Sequence, residues 1–187
     1  MDKVAGVILA GGKSSRMGRD KALLPFRGAR LIDHIAETLL SACIADIFVS
    51  GNYAGFDCIN DTCSGAGPVG GICSAVTALY GRFEKIIFVP VDLPKLEPNA
   101  IQVLLQACCE SGAHFDDEPL PFLIKLSSKI RDRCGSAQAK LKGGKKIAVW
   151  QIIADFECIS LPPTPEISKQ IAGINTADEW EKIISNE

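Results

Sequence analysis

The sequence predicts an α/β domain built around a mostly parallel sheet, and three observations lead to that prediction. The chain has 187 residues, of which 47% are hydrophobic and 22% charged, enough for one domain with a substantial core. Short continuous apolar runs, such as residues 4–9, are typical of strands buried on both faces. These runs alternate with helical patterns, which favours right-handed, doubly wound units. We therefore treat residues 1–187 as a single domain.

The first half of the chain gives three strands and three helices. The predicted strands are residues 4–9, 47–49 and 85–92, and the predicted helices are residues 31–43, 72–80 and 98–109. Apolar side chains in the first helix fall at helical spacing, at positions 31, 32, 35, 36, 39, 40 and 43. The helix over 98–109 begins at a proline and has Gly112 just past its end, an arrangement common at helix boundaries.

The second half is less regular. The segment PLPFLIKL, residues 119–126, predicts a strand whose two prolines indicate a sheet edge or an entry bend. Residues 146–152 (KIAVWQI) and 156–161 (FECISL) are weaker strand candidates. Residues 176–185 predict a terminal helix in which Thr176 serves as the N-cap.

Composition excludes several functional classes. The net charge of -2 provides no basic field for nucleic acid or an anionic membrane. No apolar run approaches the roughly 18 residues that span a bilayer, so we expect a cytoplasmic protein. The eight cysteines form no C-x-x-C pair and have no histidine at zinc-finger spacing, which favours inert thiols over a metal site. Cys43 and Cys73 lie in apolar runs and are expected to be buried.

A glycine pair with clustered cations follows the first predicted strand. Open α/β sheets bind ligands beyond the carboxyl ends of their strands, where Gly11 and Gly12 lie. Glycine allows a sharp turn and a close backbone approach, and the nearby cations suit phosphate; they are Lys13, Arg16, Arg19 and Lys21. The segment matches neither the Walker pattern nor G-x-G-x-x-G. It indicates a polyphosphate site, although an ordinary turn with solvated charges has the same local composition.

The whole segment LAGGKSSRMGRDKALLPF, residues 9–26, closely resembles the signature L-A-G-G-x-S-x-R-M-G-x-D-K of the molybdenum cofactor guanylyltransferases. The resemblance continues through GARLIDHI, GPVGGI, VPVDLP and GINTADEW, and so covers nearly the whole chain in order. It implies the three-layer, Rossmann-like nucleotidyltransferase fold, with a mostly parallel central sheet. It also implies an N-terminal part that binds nucleotide and a C-terminal part that binds molybdopterin.

The resemblance assigns roles to the matched residues. Backbone contacts to the nucleotide are implied at Leu9, Ala10, Gly11 and Gly12. Lys21, and with it Arg16, is implied on the nucleotide phosphates, where an ammonium would offset charge on the departing pyrophosphate. Lys21 is otherwise a surface charge on a loop beside Asp20. Asp92 follows an apolar strand and is implied as the Mg²⁺ ligand, although with Pro94 it also has the composition of a turn.

Further matches concern the base and the second substrate. Asn52 and Asp61 correspond to residues that contact guanosine in the family, and the glycines of GPVGG suit close packing against base or ribose. Asn175 corresponds to a segment near the pterin, and it or Thr176 is otherwise a helix cap. A basic run has two interpretations: it holds the pterin phosphate, or it is an ordinary solvated loop. Its lysines are Lys142, Lys145 and Lys146. The segment over residues 112–119 is shorter than usual in the family.

The implied reaction transfers GMP from GTP to the terminal phosphate of Mo-molybdopterin, with Mg²⁺ as cofactor and release of pyrophosphate. Neither His34 nor His114 is needed as a base. The expected protein is a monomer, with transient contact to other cofactor-biosynthesis proteins or recipient molybdoenzymes. Three alternatives stay open: a cytidylyltransferase for the same cofactor, whose relatives usually carry L-A-A-G, a sugar-phosphate nucleotidyltransferase, or an inactive nucleotide-binding regulator.

Overall fold

A computed structural model describes residues 2–10, 20–63 and 65–185. Its strands are β1 (Val4–Leu9), β2 (Pro25–Phe26), β3 (Ala29–Arg30), β4 (Asp46–Ser50), β5 (Asp57–Ile59), β6 (Lys85–Pro90), β7 (Gly112–Phe115), β8 (Glu118–Lys125) and β9 (Ile159–Leu161). Its helices are α1 (Leu31–Ser41), α2 (Pro68–Leu79), α3 (Pro98–Gln106), α4 (Ser128–Lys142), α5 (Val149–Asp155), α6 (Pro165–Gln170) and α7 (Ala177–Ile184). A 3₁₀ turn, Lys21–Leu23, precedes β2.

One seven-stranded sheet organises the described part of the chain, in the order β5-β4-β1-β6-β8-β7-β9. The strands β5, β4, β1 and β6 are mutually parallel. Strand β8 runs antiparallel to β6 and β7, whereas β9 is parallel to β7. Strands β2 and β3 form a separate antiparallel pair. The predicted α/β fold with a mostly parallel central sheet is confirmed.

Helices cover both faces of the sheet and create two hydrophobic clusters. In β1, Ile8 belongs to the cluster beneath α1, α3 and α7, and Val7 belongs to the cluster beneath α2, α4 and α5. Adjacent strand residues point to opposite faces, so a central strand in a three-layer protein needs apolar side chains at successive positions. This requirement explains the continuous apolar runs of β1 and β6, in which Ile86–Val89 are all 0% exposed.

Helix α1 ends two residues earlier than its apolar pattern predicts. Cys43 has φ of +66°, its N–H donates to the Leu40 carbonyl, and the next N–H, of Ile44, donates to the Leu39 carbonyl. These two bonds form a Schellman-type ending in which Cys43 occupies the left-handed position usually taken by glycine. Cys43 is consequently exposed, so the prediction that it is buried was wrong, while Cys73 is fully buried. All eight cysteines are free.

Helix α3 also ends early, at Gln106, and Gly112 serves the following strand instead of the helix end. A Cβ atom at Gly112 would lie 2.3 Å from the Leu123 carbonyl oxygen and 2.7 Å from the Cys158 sulfur. The close approach of β7 to its neighbours therefore requires glycine at this position. The segment over residues 112–119, which we expected to be shortened, contains β7 and the turn into β8.

One strand prediction in the second half was wrong, and the structure decides between the two alternatives of another. Residues 149–155 form helix α5, because Ile152, Ile153 and Phe156 lie on one helical face and are buried against the cluster under α2. Strand β8 is an interior strand, although its two prolines suggested an edge. The two prolines precede the stretch of β8 that pairs with β6, and the pairing of β8 with β7 shifts register between His114 and Phe115. These positions match the predicted entry bend. In the described ranges, no helix is both long and apolar enough to cross a membrane.

Candidate functional site

Four parallel strands end at one edge of the sheet, which we call the carboxyl edge. The register of β1 with β4 and β6 brings Leu9 level with Ser50 and Pro90, so the residues that follow these strands lie together. The Val91 N–H continues this contact beyond β6 by donating to the Leu9 carbonyl, at 3.2 Å. Strand β8 is antiparallel to β6 and therefore begins at the same edge, with Glu118. Open α/β sheets bind their ligands at this edge.

Lys21 and Asp92, distant in sequence, meet at the carboxyl edge. Lys21 Nζ lies 3.0 Å from Asp92 Oδ2 and also donates to the Ile174 carbonyl. The Asp92 carbonyl in turn accepts the Ile174 N–H at 3.0 Å. The two charged side chains are 18% and 29% exposed, so Lys21 is not the freely solvated loop cation that its sequence context allowed. The arrangement fixes an ammonium and a carboxylate side by side, with one side open to solvent.

The segment GINT, residues 173–176, lies beside the Lys21–Asp92 pair. Ile174 is buried beside Lys21, and Asn175, the next residue, has an exposed side chain. Thr176 caps α7 through its Oγ1, which accepts the Glu179 N–H at 3.2 Å, as its sequence position predicted. The Glu179 carboxylate accepts the N–H groups of Asn175 and Thr176, and these bonds lower the pKa of that carboxyl. The reciprocal cap holds Asn175 next to the Lys21–Asp92 pair.

The GPVGG segment begins α2 and packs closely on the ends of β4 and β5. A Cβ atom at Gly70 would lie 2.6 Å from Asp61 Oδ2, and one at Gly71 would lie 2.2 Å from Ser50 Oγ. Asp61 Oδ1 also accepts the Cys63 N–H at 3.0 Å. In the described structure the Cβ direction of both glycines is therefore filled by protein side chains, and their packing against base or ribose stays a prediction. The absence of a Cβ at Gly70 and Gly71 allows the first turn of α2 to pack closely against the carboxyl edge.

We expect Gly71→Ala to destabilise the protein by about 1–3 kcal/mol, because the new methyl group overlaps the Ser50 side chain in a packed region. Urea denaturation measures the change in the free energy of unfolding. Gly135, in α4, is the matched control, since a Cβ there would meet nothing within 4 Å. Gly135→Ala should stabilise the helix by up to about 1 kcal/mol. A Gly71→Ala protein as stable as the wild type would contradict the close approach of α2.

The other nucleotide-contact positions are only partly described. Leu9 and Ala10 are buried at the end of β1, at 8% and 6% exposure, and Asn52 is exposed after β4. The predicted contact residues Gly11, Gly12 and Arg16 lie outside the described residues. The described positions are thus arranged around the same edge as Lys21 and Asp92.

Two further polar side chains reach this edge and were missed from the sequence. Tyr53 follows Asn52, and its hydroxyl lies 3.1 Å from the Ala10 carbonyl oxygen. Burial raises the pKa of the Glu118 carboxyl, and the nearby charges of Asp117 and Asp92 raise it further. The available signal was positional: Tyr53 comes shortly after a parallel strand, and Glu118 begins the antiparallel strand beside β6.

Asp92 and Glu118 are carboxylates at the carboxyl edge whose oxygens could hold a divalent cation. Among the described residues, no group of three or more His, Cys, Asp or Glu side chains is arranged to hold a metal by itself. Mg²⁺ commonly binds one or two carboxylates and completes its coordination with substrate phosphates and water. The Asp92 side chain is partly exposed, and carboxylate oxygens are hard donors. Asp92 and Glu118 therefore fit an ion whose coordination is completed by a polyphosphate.

The remaining predicted polar positions lie away from the Lys21–Asp92 pair or have structural roles. Three lysines line a cavity of about 720 Å³ beside the start of α2: Lys142, Lys145 and Lys146. They are exposed, as the solvated alternative predicts. His34 packs edge-on against Phe26 at 4.8 Å between ring centroids, and its Nε2 lies 3.0 Å from the Pro94 carbonyl oxygen. His114 is buried, with Nδ1 2.7 Å from the Phe115 carbonyl oxygen.

Comparison with known proteins finds similarity over nearly the whole chain. The MobA-like NTP transferase domain matches residues 6–155. A molybdenum cofactor guanylyltransferase from Xanthomonas euvesicatoria pv. vesicatoria is 31% identical over 179 residues, which cover 96% of this chain and 93% of that protein. Molybdopterin-guanine dinucleotide biosynthesis protein A from Archaeoglobus fulgidus has a TM-score of 0.74 and 19% identity, with coverage of 98% and 100%. Rv0371c from Mycobacterium tuberculosis H37Rv, solved in complex with manganese, has a TM-score of 0.61 and 13% identity, with coverage of 99% and 100%.

Proposed function

Because this chain belongs to the MobA-like NTP transferase family, we propose that it transfers GMP from GTP to the terminal phosphate of Mo-molybdopterin. The chain is a nucleotidyltransferase, and its similarity to the Xanthomonas guanylyltransferase supports the finer assignment. The observation that carries the proposal is the Lys21–Asp92 pair at the carboxyl edge, 3.0 Å apart and partly open to solvent. The products are the molybdopterin guanine dinucleotide cofactor and pyrophosphate.

The reaction needs little covalent chemistry from the protein. The terminal phosphate of the pterin substrate attacks the α-phosphorus of GTP, a new P–O bond forms, and the bond to the β-phosphate oxygen breaks. Catalysis then consists of aligning the two substrates and offsetting the negative charge that develops on the departing pyrophosphate. No side-chain nucleophile takes part, which agrees with the structural roles of His34 and His114.

We assign the charge-stabilising role to Lys21, helped by Arg16. Asp92 and the Ile174 carbonyl orient the Lys21 ammonium, so little reorganisation is needed when triphosphate binds. Asp92 is the residue that would hold Mg²⁺, and Glu118 is the nearby second carboxylate. Bound Mg²⁺ would supply positive charge to the triphosphate oxygens. The manganese complex of the Mycobacterium tuberculosis protein supports a divalent cation in proteins of this fold.

In this proposal the two substrates bind at different parts of the carboxyl edge. Leu9, Ala10, Gly11 and Gly12 contact GTP through the backbone, and Asn52 and Asp61 contact the guanosine. Asn175 lies at the pterin side, next to the residue whose carbonyl binds Lys21. That residues 1–187 form one domain, nucleotide-binding at its N-terminal side and molybdopterin-binding at its C-terminal side, stays a prediction.

We expect GTP to exceed CTP and ATP in kcat/KM by at least about tenfold, or about 1.4 kcal/mol of discrimination. The Ala10-Gly11-Gly12 sequence and the GPVGG segment motivate this choice of base. Pyrophosphate release with Mo-molybdopterin as acceptor measures the rate for each nucleotide. Equal kcat/KM for CTP would contradict the guanine assignment and favour the cytidylyltransferase alternative. No turnover with any nucleotide, from protein that still binds GTP, would favour the regulator.

A further inference from the structure

Tyr53 is anchored at the carboxyl edge by both its backbone and its ring. Its N–H donates to the Cys58 sulfur at 3.3 Å, and the Cys58 thiol donates to the Tyr53 carbonyl at 3.4 Å. Its ring is partly buried against the hydrophobic cluster beneath α1. With the backbone and the ring held in this way, the Tyr53 hydroxyl points toward the end of β1 and the 3₁₀ turn.

The Tyr53 hydroxyl bridges two segments of the site. It lies 3.1 Å from the Ala10 carbonyl oxygen and 2.9 Å from Asp20 Oδ2. In the sequence, Ala10 and Asp20 stand on either side of residues 11–19, and the backbone of Ala10 is a proposed nucleotide contact. Both partners are acceptors and the hydroxyl has one proton, so the proton is shared between them or alternates.

Asp20 connects this bridge to the catalytic lysine. While Oδ2 accepts from Tyr53, Oδ1 accepts the Ala22 N–H at 3.0 Å and so caps the 3₁₀ turn that begins with Lys21. The turn is completed by the Leu23 N–H, which donates to the Asp20 carbonyl at 3.1 Å. A short, capped turn fixes the backbone direction at Lys21, and with it the starting point of the side chain that reaches Asp92.

The hydroxyl is suited to a permanent donor role. Burial raises the pKa of the Tyr53 phenol well above its usual range, and the adjacent Asp20 carboxylate raises it further. An ordinary phenol, with a pKa of about 10, is already protonated at neutral pH, and the raised pKa keeps the Tyr53 hydroxyl a donor into the alkaline range. Stability gained from it is lost only as pH rises above the ordinary phenol pKa of about 10, where the unfolded chain releases the proton.

We propose that Tyr53 is a positioning residue of the transfer reaction: its hydroxyl ties the end of β1 to the turn that carries Lys21, and so fixes the ammonium relative to the nucleotide backbone contacts. This inference rests on the proposed function. It goes beyond that function because Tyr53 touches neither reacting group and acts through Ala10 and Asp20.

Tyr53→Phe tests the proposal because it removes only the hydroxyl, and the chain offers a matched control. Its other tyrosine, Tyr80, lies at the end of α2 with its ring against Arg131. We expect Tyr53→Phe to lower kcat by about tenfold, equivalent to about 1.4 kcal/mol in the barrier, while KM for GTP changes by less than about threefold. Tyr80→Phe should leave both constants unchanged. A wild-type kcat for Tyr53→Phe would overturn the proposal.

A double-mutant cycle tests the route through Asp20. If Tyr53 acts through this carboxylate, then Tyr53→Phe should cost much less in an Asp20→Ala background than in the wild type. Additive losses would overturn the connection between Tyr53 and the turn. The cycle separates a positioning role from a general loss of packing, since packing losses at the ring would be unaffected by Asp20.

Amide hydrogen exchange provides a readout that needs no substrate. In Tyr53→Phe, the Ala22 amide should exchange at least about fivefold faster, while the exchange of amides in α2 stays unchanged. Unchanged exchange at Ala22 would overturn the structural part of the proposal. If the wild type transfers no GMP, the proposed function fails, yet the exchange experiment still decides whether Tyr53 holds the turn.

Discussion

Asp92→Asn should lower kcat by at least about a hundredfold while the protein folds normally. The substitution preserves side-chain size and one oxygen, so Lys21 keeps a hydrogen-bond acceptor at the position of Oδ2. It removes the negative charge that we assign to Mg²⁺ binding. GTP affinity, measured by calorimetry with and without Mg²⁺, should rise with the metal for the wild type and respond much less in the variant.

The control for Asp92 is an acidic residue in an ion pair away from the carboxyl edge. Asp132 pairs with Arg131 at 3.3 Å and its side chain is 70% exposed. Asp132→Asn should leave kcat and Mg²⁺ dependence at wild-type values, because exposed ion pairs contribute little stability. Near-normal turnover of Asp92→Asn at limiting Mg²⁺ would show that Asp92 is a turn residue and not a metal ligand.

Lys21→Ala should also reduce kcat by about a hundredfold or more, since the ammonium is the described cation closest to the proposed metal ligand. A modest fall in stability should accompany the loss, because Lys21 is mostly buried and binds both Asp92 and the Ile174 carbonyl. We expect a decrease of about 1–2 kcal/mol in the free energy of unfolding, measured by urea denaturation.

Lys85 is a close structural match for Lys21. Its side chain is 16% exposed, against 18% for Lys21, and it pairs with Asp2 at 2.6 Å at the opposite end of β6. Lys85→Ala should therefore cost similar stability with no loss of kcat. If both variants lose stability and neither loses specific activity, Lys21 is a structural residue and its phosphate role is wrong.

The fold was predictable where one physical signal dominated. Burial on both faces makes β1 and β6 continuous apolar runs, and the helical stripe of α1 follows from packing on one face. The signal weakens where tertiary context decides. The ending of α1 depends on a left-handed Cys43, and β5, with two of its three residues exposed, has too little apolar pattern to identify it as a strand. Helix α5 contains β-branched residues that also suit a strand.

The sequence predicted at which edge of the sheet the site lies, but not all of its contacts. Strand ends and the resemblance together indicated Lys21 and Asp92, and the folded chain brings their charged groups to 3.0 Å. The Ile174 carbonyl and the Tyr53 hydroxyl were not predictable. Lys21 and Ile174 are 153 positions apart, and a backbone carbonyl has no residue-type signature in sequence. Tyr53 has the composition of any loop tyrosine until folding brings it to Ala10.

The most direct measurement follows two radiolabels of GTP in a reaction with Mg²⁺ and Mo-molybdopterin. With label at the α-phosphate, GMP transfer predicts radioactivity in a pterin product whose mass increases by one GMP unit. With label at the γ-phosphate, it predicts radioactivity only in pyrophosphate. Label from the γ-phosphate in the pterin product would indicate phosphoryl transfer instead. A pterin that stays unmodified after incubation with each of the four nucleoside triphosphates would contradict nucleotidyl transfer to this acceptor.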